Sequence, residues 1–284
     1  MLRKYDKEYL EEMKGIADGL NRAGARLFGR EADLVDIVTL NSVIDLGQAG
    51  GALRRTGNAL SGKSFLAAED ELNIPMRQHK CSGFLATNSA TKNKEIVFGQ
   101  IFMWGGYTGP HWNVIIDIIP EKGHRLVYET YPGGIHSAAD FYINSAGIMI
   151  GETTVSQTPF NTDGTPQSNR IRKAAQYASS IDDVVNILSK NNNGMYTNDW
   201  LIGDTKTNEI AILLLGTKKS KLWRSSKKDF PGGLTDFYWS NNNNKDPEVR
   251  KEYIKNIDNA PYDLVFSPWN RDIQFVNFYR KYKG

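Results

Sequence analysis

The order of secondary-structure patterns along this chain constrains its fold more than any other feature. Turn residues separate five segments rich in β-branched, aromatic or alternating residues, which lie at 82–87, 95–100, 112–119, 125–131 and 143–155. Two helix patterns follow, and two apolar strands at 200–203 and 209–215 then flank a polar turn that is typical of a hairpin. Strands, a helix pair and more strands predict an α+β protein in which helices cover sheets.

The first part of the chain is predicted to be helical and then irregular. Apolar residues recur at spacings of four and three from Tyr5 to Leu20, which predicts an amphipathic helix. A second helix pattern follows Asp33. Glycine and other small residues dominate positions 47–62, and this stretch is predicted to be a loop.

Capping residues predict where the later helices begin. Ser168 is the predicted N-cap of the first helix of the pair, and Ser180 with Asp183 resembles a capping box for the second. The asparagine run at 241–244 is predicted to be an exposed connection. Asp246, followed by a proline, is the predicted N-cap of a final helix.

Composition excludes several classes of function. The 284 residues are 40% hydrophobic, enough for a substantial core, and 35 basic against 32 acidic residues leave a formal charge of +3, too small to indicate nucleic-acid binding. No apolar run approaches the roughly 20 residues of a membrane-spanning helix. The N-terminus lacks the apolar core of a secretory signal, so we expect a cytoplasmic protein, or a secreted or lysosomal-like one if a leader was removed. Oligomeric state is left open.

A single cysteine, Cys81, opens the first strand pattern. A lone thiol cannot form a disulfide within its own chain, so its uses are packing, metal binding or nucleophilic chemistry. Free cysteine commonly behaves as a small buried hydrophobe. A reactive cysteine instead requires surroundings that activate the thiol.

The position of Cys81 at the start of a strand suits a nucleophile that is also an N-terminus. If the bond between Lys80 and Cys81 is broken, the new α-amine has an unperturbed pKa near 7.7 to 8.0 and can accept the thiol proton at neutral pH. The thiol can first attack the Lys80 carbonyl and so cut the chain itself. Residues 1–80 would then be a helical prosegment, and residues 81–284 the catalytic domain.

Several blocks carry a resemblance to a known family. They are, in order, 15–19, 33–38, 81–84, 112–115, 131–137, 151–154 and 196–201. In this order they resemble the phospholipase B-like branch of the N-terminal nucleophile (Ntn) hydrolases, which is related to the isopenicillin N acyltransferase-like proteins. The resemblance extends to Gly216, and relatives of this kind can be considerably longer than this chain.

The resemblance implies a four-layer αββα Ntn-hydrolase sandwich with a helical N-terminal prosegment. It also implies self-cleavage between Lys80 and Cys81, and hydrolysis or acyl transfer on a small-molecule amide or ester, without a cofactor. Cys81 matches the family nucleophile, and Asn198 matches the position of an oxyanion donor. Without the resemblance, Asn198 is interpreted as a turn or strand-entry asparagine that hydrogen bonds its own backbone.

Thr153 and Thr154 fall in a block that lines the family's site, where a hydroxyl can orient the amine or the thiol. They can equally be the polar face of a strand. Gln100 departs from the family pattern, because related sequences place a histidine there, and glutamine hydrogen bonds but does not titrate. A competing interpretation is therefore a non-catalytic family member retained as a binding module.

Three other interpretations concern aromatic, histidine and serine side chains. Trp104, Tyr107 and Trp112 are candidates to line an acyl pocket, with core packing as the alternative for Trp112. His136 and Asp140, at helical spacing and with His111 nearby, suggest a metal but lack a full ligand set, so no metal is predicted. A serine hydrolase using Ser82 or Ser137 with His136 has no nucleophile-elbow motif.

Overall fold

The computed structural model describes residues 1–55, 81–103, 106, 108–155, 160–231, 233–252 and 267–283. The helices in these ranges are α1 (Lys7–Arg22), α2 (Leu34–Leu40), α3 (Val43–Arg55), α4 (Gln167–Tyr177), α5 (Ile181–Ser189), α6 (Pro247–Arg250) and α7 (Ser267–Tyr282). The strands are β1 (Ser82–Ala86), β2 (Val97–Ile101), β3 (Val114–Ile118), β4 (Leu126–Thr130), β5 (Phe141–Asn144), β6 (Ile148–Thr154), β7 (Asn198–Asp204), β8 (Glu209–Leu215), β9 (Ser220–Arg224) and β10 (Phe237–Ser240).

The strands that the structure describes form two antiparallel sheets. The large sheet contains β3 to β9 in sequence order, so each strand pairs with the next along the chain. The small sheet has the order β10-β1-β2, which places β1, the strand that follows Cys81, at its centre.

Alternating side chains let the large sheet bury both faces. On β7, Trp200 and Ile202 join a core with α4 and α5, whereas Leu201 joins a second core with Leu85 of the small sheet. Successive side chains of a strand point to opposite faces, so a strand that is apolar at every position is covered on both sides.

Helix α7 covers the outer face of the small sheet. The Phe275 ring lies 6.1 Å from that of Trp239, and the Tyr279 ring lies 5.4 Å from that of Phe237. The layers are therefore helices, large sheet, small sheet and helix. This confirms the predicted α+β class and its four-layer αββα sandwich. No helix in the ranges above is both long and apolar enough to cross a bilayer.

The N-terminal helices pack together and against the rest of the protein. Tyr9 and Met13 of α1 form a small core with Ile37 and Val38 of α2 and with Ile135, which precedes β5. Asp33 caps α2 as predicted, because its side chain accepts hydrogen bonds from the first-turn backbone. The predicted boundary at residue 80 adjoins a stretch outside the described ranges, so the division into prosegment and catalytic domain stays a prediction.

Three of the predicted elements are wrong in extent. Positions 47–55 of the predicted loop belong to α3, where alanine, leucine and arginine favour helix enough to outweigh the glycines. The single strand predicted at 143–155 is two strands, β5 and β6. A turn separates them in which the Asn144 side chain accepts from two backbone N–H groups and Gly147 has a φ of +80°. The final helix is α7, and Asp246 caps only the short α6.

Two side-chain roles are also corrected. The N-cap of α4 is Pro166, and Ser168 Oγ instead lies 2.5 Å from the hydroxyl of Tyr5. Ser180 caps α5, because its Oγ accepts a hydrogen bond from the Asp183 N–H. The reciprocal bond of a capping box is not formed, since the Asp183 carboxylate accepts from the Ser179 N–H instead of the Ser180 N–H. The asparagine run is largely buried, not an exposed connection: Asn241 and Asn244 are at most 1% exposed.

A glycine on β1 allows the two sheets to approach closely below Cys81. A Cβ at Gly83 would lie 2.5 Å from Gln100 Oε1 and 2.7 Å from Leu201 Cδ1. We expect Gly83→Ala to lower the free energy of unfolding by about 1–3 kcal/mol, as overpacking does. Urea denaturation measures this change. Gly15→Ala is the control, because no atom lies within 4 Å of a Cβ there and alanine favours helix, so its effect should be neutral or stabilising.

Candidate active site

Cys81 lies directly before β1 and is buried among polar groups. Its side chain is 1% exposed, and Sγ donates a hydrogen bond to Asp140 Oδ2 at 3.2 Å. Its backbone N–H donates to Asn242 Oδ1 at 2.8 Å. The packing interpretation requires a sulfur surrounded only by apolar side chains. The hydrogen bond to Asp140 shows that this is not the case.

Arg271 of α7 binds the backbone of the same residue. Nη1 donates to the Cys81 carbonyl oxygen and, at 3.0 Å, to Ser82 Oγ, while Nη2 donates to Asn242 Oδ1 at 3.0 Å. The neighbouring Asp272 accepts from the side chains of Asn241 and Asn243 at 2.9 and 2.6 Å. The start of α7 is thus fixed to the asparagine run, and both position the Cys81 backbone.

Two residues that contact Cys81 have left-handed backbone conformations. Asp140 has a φ of 62° and Asn242 a φ of 64°. Asparagine and aspartate are the non-glycine residues that most often adopt this region, and such conformations cluster at functional sites. In both residues the side chain hydrogen bonds an atom of Cys81.

Asp140 is paired with a second buried carboxyl group, that of Glu152 on β6, to which it is hydrogen bonded. Tyr196 donates its hydroxyl proton to Glu152 Oε1 at 2.8 Å. Burial raises the pKa of both carboxyl groups, and the charge of Asp140 raises the pKa of Glu152 further. The pair therefore shares one proton, held mainly by Glu152.

The same surroundings keep the thiol protonated. Burial is the largest cause that raises the pKa of Cys81, and the negative charge of Asp140 raises it further. The backbone N–H of Met103 opposes them, since its hydrogen bond to the sulfur favours the thiolate. In the uncut chain the sulfur is thus a poor nucleophile unless its proton is removed as it attacks.

Asn198 lies at the first position of β7, opposite Thr154 of β6. With its amide oriented so that Nδ2 faces Glu152, it donates to Glu152 Oε2 at 3.1 Å and to the Thr197 carbonyl at 2.9 Å. It belongs to the buried polar cluster through Glu152 rather than through a contact with the sulfur. Thr154 Oγ1 donates to the Tyr196 hydroxyl at 2.8 Å in the same cluster.

Thr153 faces the small sheet. Its hydroxyl hydrogen bonds Ser240 Oγ and accepts from the Asn242 N–H at 3.1 Å. Ser240 in turn donates to Asp199 Oδ2 at 3.1 Å, and burial raises the pKa of Asp199 to about 7. Thr153 thus supports the loop that holds the Cys81 backbone.

Gln100 lies on β2 opposite Gly83. Its Nε2 donates to the Glu152 carbonyl oxygen at 2.8 Å, while Oε1 is buried without a hydrogen-bond partner among the atoms that the structure describes. Gln100 contacts the backbone of the residue whose carboxyl group pairs with Asp140. A titrating group is absent from this position.

The predicted aromatic pocket is described only in part. Lys80, Trp104 and Tyr107 lie outside the described residues. Trp112 is half-buried, with its ring 5.9 Å from that of Phe102 and 5.6 Å from that of Tyr131. A cavity of about 370 Å³ lies elsewhere, between the small sheet and α7. Its lining residues include Ser82, Phe84, Gln100, Arg271, Phe275 and Phe278.

His136 is not placed for the alternative chemistries. The loop before β5 is not helical, so His136 and Asp140 do not share a helix face. The ring of His136 hydrogen bonds the Tyr131 hydroxyl at 3.2 Å and the Ser137 carbonyl at 3.0 Å, while Ser137 Oγ accepts from two backbone N–H groups. Within the described ranges no three His, Cys, Asp or Glu side chains are arranged so that they could hold a metal ion.

Sequence reasoning missed four residues that surround Cys81: Asp140, Glu152, Asn242 and Arg271. Glu152 lies inside the block 151–154, in which the sequence favours the two threonines as site residues. The spacing of Asp140 from His136 suggests only a metal ligand. No local pattern marks Asn242 or Arg271, which lie 161 and 190 residues after Cys81.

The sequence profile of the phospholipase B family matches residues 5–214. The chain belongs to this family. An uncharacterized protein of Archaeoglobus fulgidus is 30% identical over 245 residues, which cover 81% of this chain and 37% of that protein. Phospholipase B-like 1 of Bos taurus is 31% identical over 208 residues, which cover 69% of this chain and 36% of that protein. The matched part thus spans little more than a third of these phospholipase B relatives.

Two solved structures show a distant resemblance to this phospholipase B family chain. Two variants of the conjugated bile acid hydrolase of Clostridium perfringens are 14% and 13% identical, with TM-scores of 0.27 and 0.28. The first match covers 52% of this chain and 43% of that one, and the second 53% and 44%.

Proposed function

We propose that this protein is a self-processing thiol hydrolase or acyltransferase of the Ntn type, which cuts itself between Lys80 and Cys81. One observation carries the proposal: the amide nitrogen, the carbonyl oxygen and the sulfur of Cys81 each have a separate polar partner. These partners are Asn242, Arg271 and Asp140. Buried backbone groups are paired in any protein, so the contact that separates a reactive cysteine from a packing residue is the buried Asp140 carboxyl group at the sulfur.

The cut chain would catalyse acyl transfer with Cys81 alone supplying nucleophile and base. Its α-amine, hydrogen bonded to Asn242, accepts the Sγ proton as sulfur attacks the acyl carbonyl carbon of a small-molecule amide or ester. The tetrahedral intermediate then expels the amine or alcohol, which takes the proton from the α-ammonium group. Water, or a second acceptor in the transferase case, resolves the thioester and restores the thiol.

Asn198 is the proposed oxyanion donor of this reaction. Both of its amide protons are already engaged, one by the Thr197 carbonyl and one by Glu152. Donation to a substrate oxygen therefore requires that one of these two hydrogen bonds be exchanged. The bond to Glu152 is the one that a movement of the carboxyl pair releases.

The competing function is a binding module that keeps the fold without turnover. Gln100 favours it, because this side chain cannot transfer a proton and its Oε1 lacks a hydrogen-bond partner among the described atoms. The two functions differ in how Cys81 reacts with a thiol-directed acyl probe. An enzyme should be labelled faster when folded than when denatured, whereas a binding module should be labelled no faster.

Self-cleavage is tested by the intact mass and N-terminal sequence of the purified full-length chain. We expect wild-type protein to yield two fragments, the second beginning at Cys81, and Cys81→Ala to remain a single uncut chain. Ser220→Ala, at an exposed position of β9, is the control and should be cut as wild type is. A wild-type chain that stays at full-length mass after prolonged incubation would contradict the proposal.

A further inference from the structure

The first cut poses a chemical problem that the mature site does not. Before cleavage the nitrogen of Cys81 belongs to a peptide bond, so it has no basic lone pair and cannot accept the thiol proton. The thiol is also held in its protonated form by burial and by the negative charge of Asp140. A different group must therefore act as the base when Sγ attacks the Lys80 carbonyl.

Asp140 is placed for this role. Its Oδ2 lies 3.2 Å from Cys81 Sγ and accepts the thiol hydrogen bond, and both side chains are buried away from water. The left-handed backbone of Asp140 follows the Tyr131–Ala139 loop and directs the carboxyl group at the sulfur. Within the described ranges it is the one side chain that hydrogen bonds Sγ.

Glu152 would keep Asp140 ready to accept a proton. Its carboxyl group receives the Tyr196 hydroxyl at Oε1 and hydrogen bonds Asp140. A protonated Glu152 that donates to Asp140 stabilises the negative charge of Asp140, since two adjacent buried carboxyl groups do not both ionise.

We propose that Asp140 is the catalytic base of the chain-cutting step, and that Glu152 holds the single proton of the carboxyl pair so that Asp140 is ionised before the attack. This inference rests on the self-cleavage proposed above. It assigns Asp140 to maturation, while the α-amine of Cys81 serves in later turnovers.

The step balances without an outside reactant other than water. The Sγ proton passes to Asp140 as the S–C bond to the Lys80 carbonyl carbon forms. The C–N bond to Cys81 then breaks, and its nitrogen takes the proton back from Asp140, leaving a thioester and a free α-amine. Water hydrolyses the thioester to the Lys80 carboxylate and the Cys81 thiol.

The dependence of cleavage on pH follows from this arrangement. The titratable groups around Asp140 are Cys81, Glu152, Tyr142 and Tyr196, and Asp199 acts on Glu152. A base must be unprotonated to act, so the wild-type rate should rise with pH and level off once Asp140 is ionised. Without this base the rate should rise about tenfold per pH unit without levelling, because hydroxide must then remove the thiol proton.

The test measures the rate of cleavage in full-length chains by intact mass, from about pH 5 to about pH 8, where buried carboxyl groups with raised pKa values titrate. We expect Asp140→Asn to slow cleavage about 10²- to 10⁴-fold, the usual range for loss of a general base, and to remove the plateau. The Glu152→Gln variant should be cleaved at a rate within about tenfold of wild type. Its side-chain amide can donate a hydrogen bond to Asp140 as the protonated carboxyl group does. Asp163→Asn, at an exposed loop position, is the control.

Hydroxylamine separates the two halves of the step, because it cleaves a thioester but not a peptide bond. We expect it not to restore cleavage in D140N, which should be blocked before the thioester forms. Restoration would overturn the inference, as would D140N cutting at the wild-type rate. If circular dichroism shows that D140N does not fold, the E152Q variant and the pH dependence of wild-type cleavage provide the test. A wild-type cleavage rate that rises with pH without a plateau would then contradict the inference. If wild type never cuts, self-cleavage itself fails.

Discussion

Replacing Arg271 with alanine is expected to slow self-cleavage about 10²-fold, the loss typical when a reacting group is misplaced by about 1 Å. Arg271 is half-buried and donates both to the Cys81 carbonyl oxygen and to Asn242 Oδ1. Without Arg271, the Cys81 carbonyl oxygen loses the hydrogen bond that positions it. Asn242 Oδ1 then keeps only one of its two hydrogen-bond donors, the Cys81 N–H. The rate at which the fragments appear on intact-mass spectra measures the effect.

Two further variants make this result specific to the guanidinium group. Arg271→Lys keeps the charge but cannot bind two partners in one plane, so we expect an intermediate rate. Arg280→Ala removes an exposed arginine from the same helix and should leave cleavage unchanged. Equal slowing in the R280A and R271A variants would indicate a loss of α7 packing rather than loss of a contact with Cys81.

Arg172→Met is expected to lower the free energy of unfolding by about 1–3 kcal/mol, the range for leaving buried polar groups without their hydrogen-bond partner. Glu12 is 32% exposed, so water can solvate its carboxylate once the arginine is gone. Arg172 lies on α4 with only 2% of its side chain exposed, and Nη1 is 2.9 Å from Glu12 of α1. It also donates to the Ile135 carbonyl oxygen at 3.2 Å, and its guanidinium lies 5.4 Å from the centre of the Tyr9 ring. Methionine keeps the apolar part of the side chain, so the loss reports the polar contacts.

Arg125→Met is the matched control for this measurement. Arg125 binds Asp117 through two hydrogen bonds of 2.8 and 2.5 Å, a better geometry than that of Arg172 with Glu12, but both side chains are about half exposed. Exposed pairs contribute about 0–1 kcal/mol, so this variant should change urea denaturation little. If both variants lose the same stability, burial does not determine the contribution of Arg172.

Much of the fold follows from local patterns in the sequence. The alternation on β7 and the polar turn before β8 predict the central hairpin, because residue periodicity decides which faces are apolar. The helix α3 was missed since its glycines signal a loop while the residues among them favour helix. The strands β9 and β10 are not predicted, because two of the five residues of β9 are basic and β10 has only four residues.

The surroundings of Cys81 were less predictable. Its contacts with Asp140, Asn242 and Arg271 span 59, 161 and 190 residues, and periodicity within one element carries no information about such pairs. The asparagine run shows the same limit. Four consecutive asparagines suggest an exposed loop. In the structure, however, the side-chain amides of Asn241 and Asn244 donate hydrogen bonds to Asp272 and Asp199 and are buried.

The contacts of the N-terminal helices have a consequence for the cut chain. The buried Asp45 carboxylate of α3 accepts from the side chain of Asn193, and Met13 of α1 packs in a core with Ile135. Scission between Lys80 and Cys81 would sever only the covalent connection and leave these interactions in place. The product would be a non-covalent heterodimer from a single gene, held together by these buried contacts.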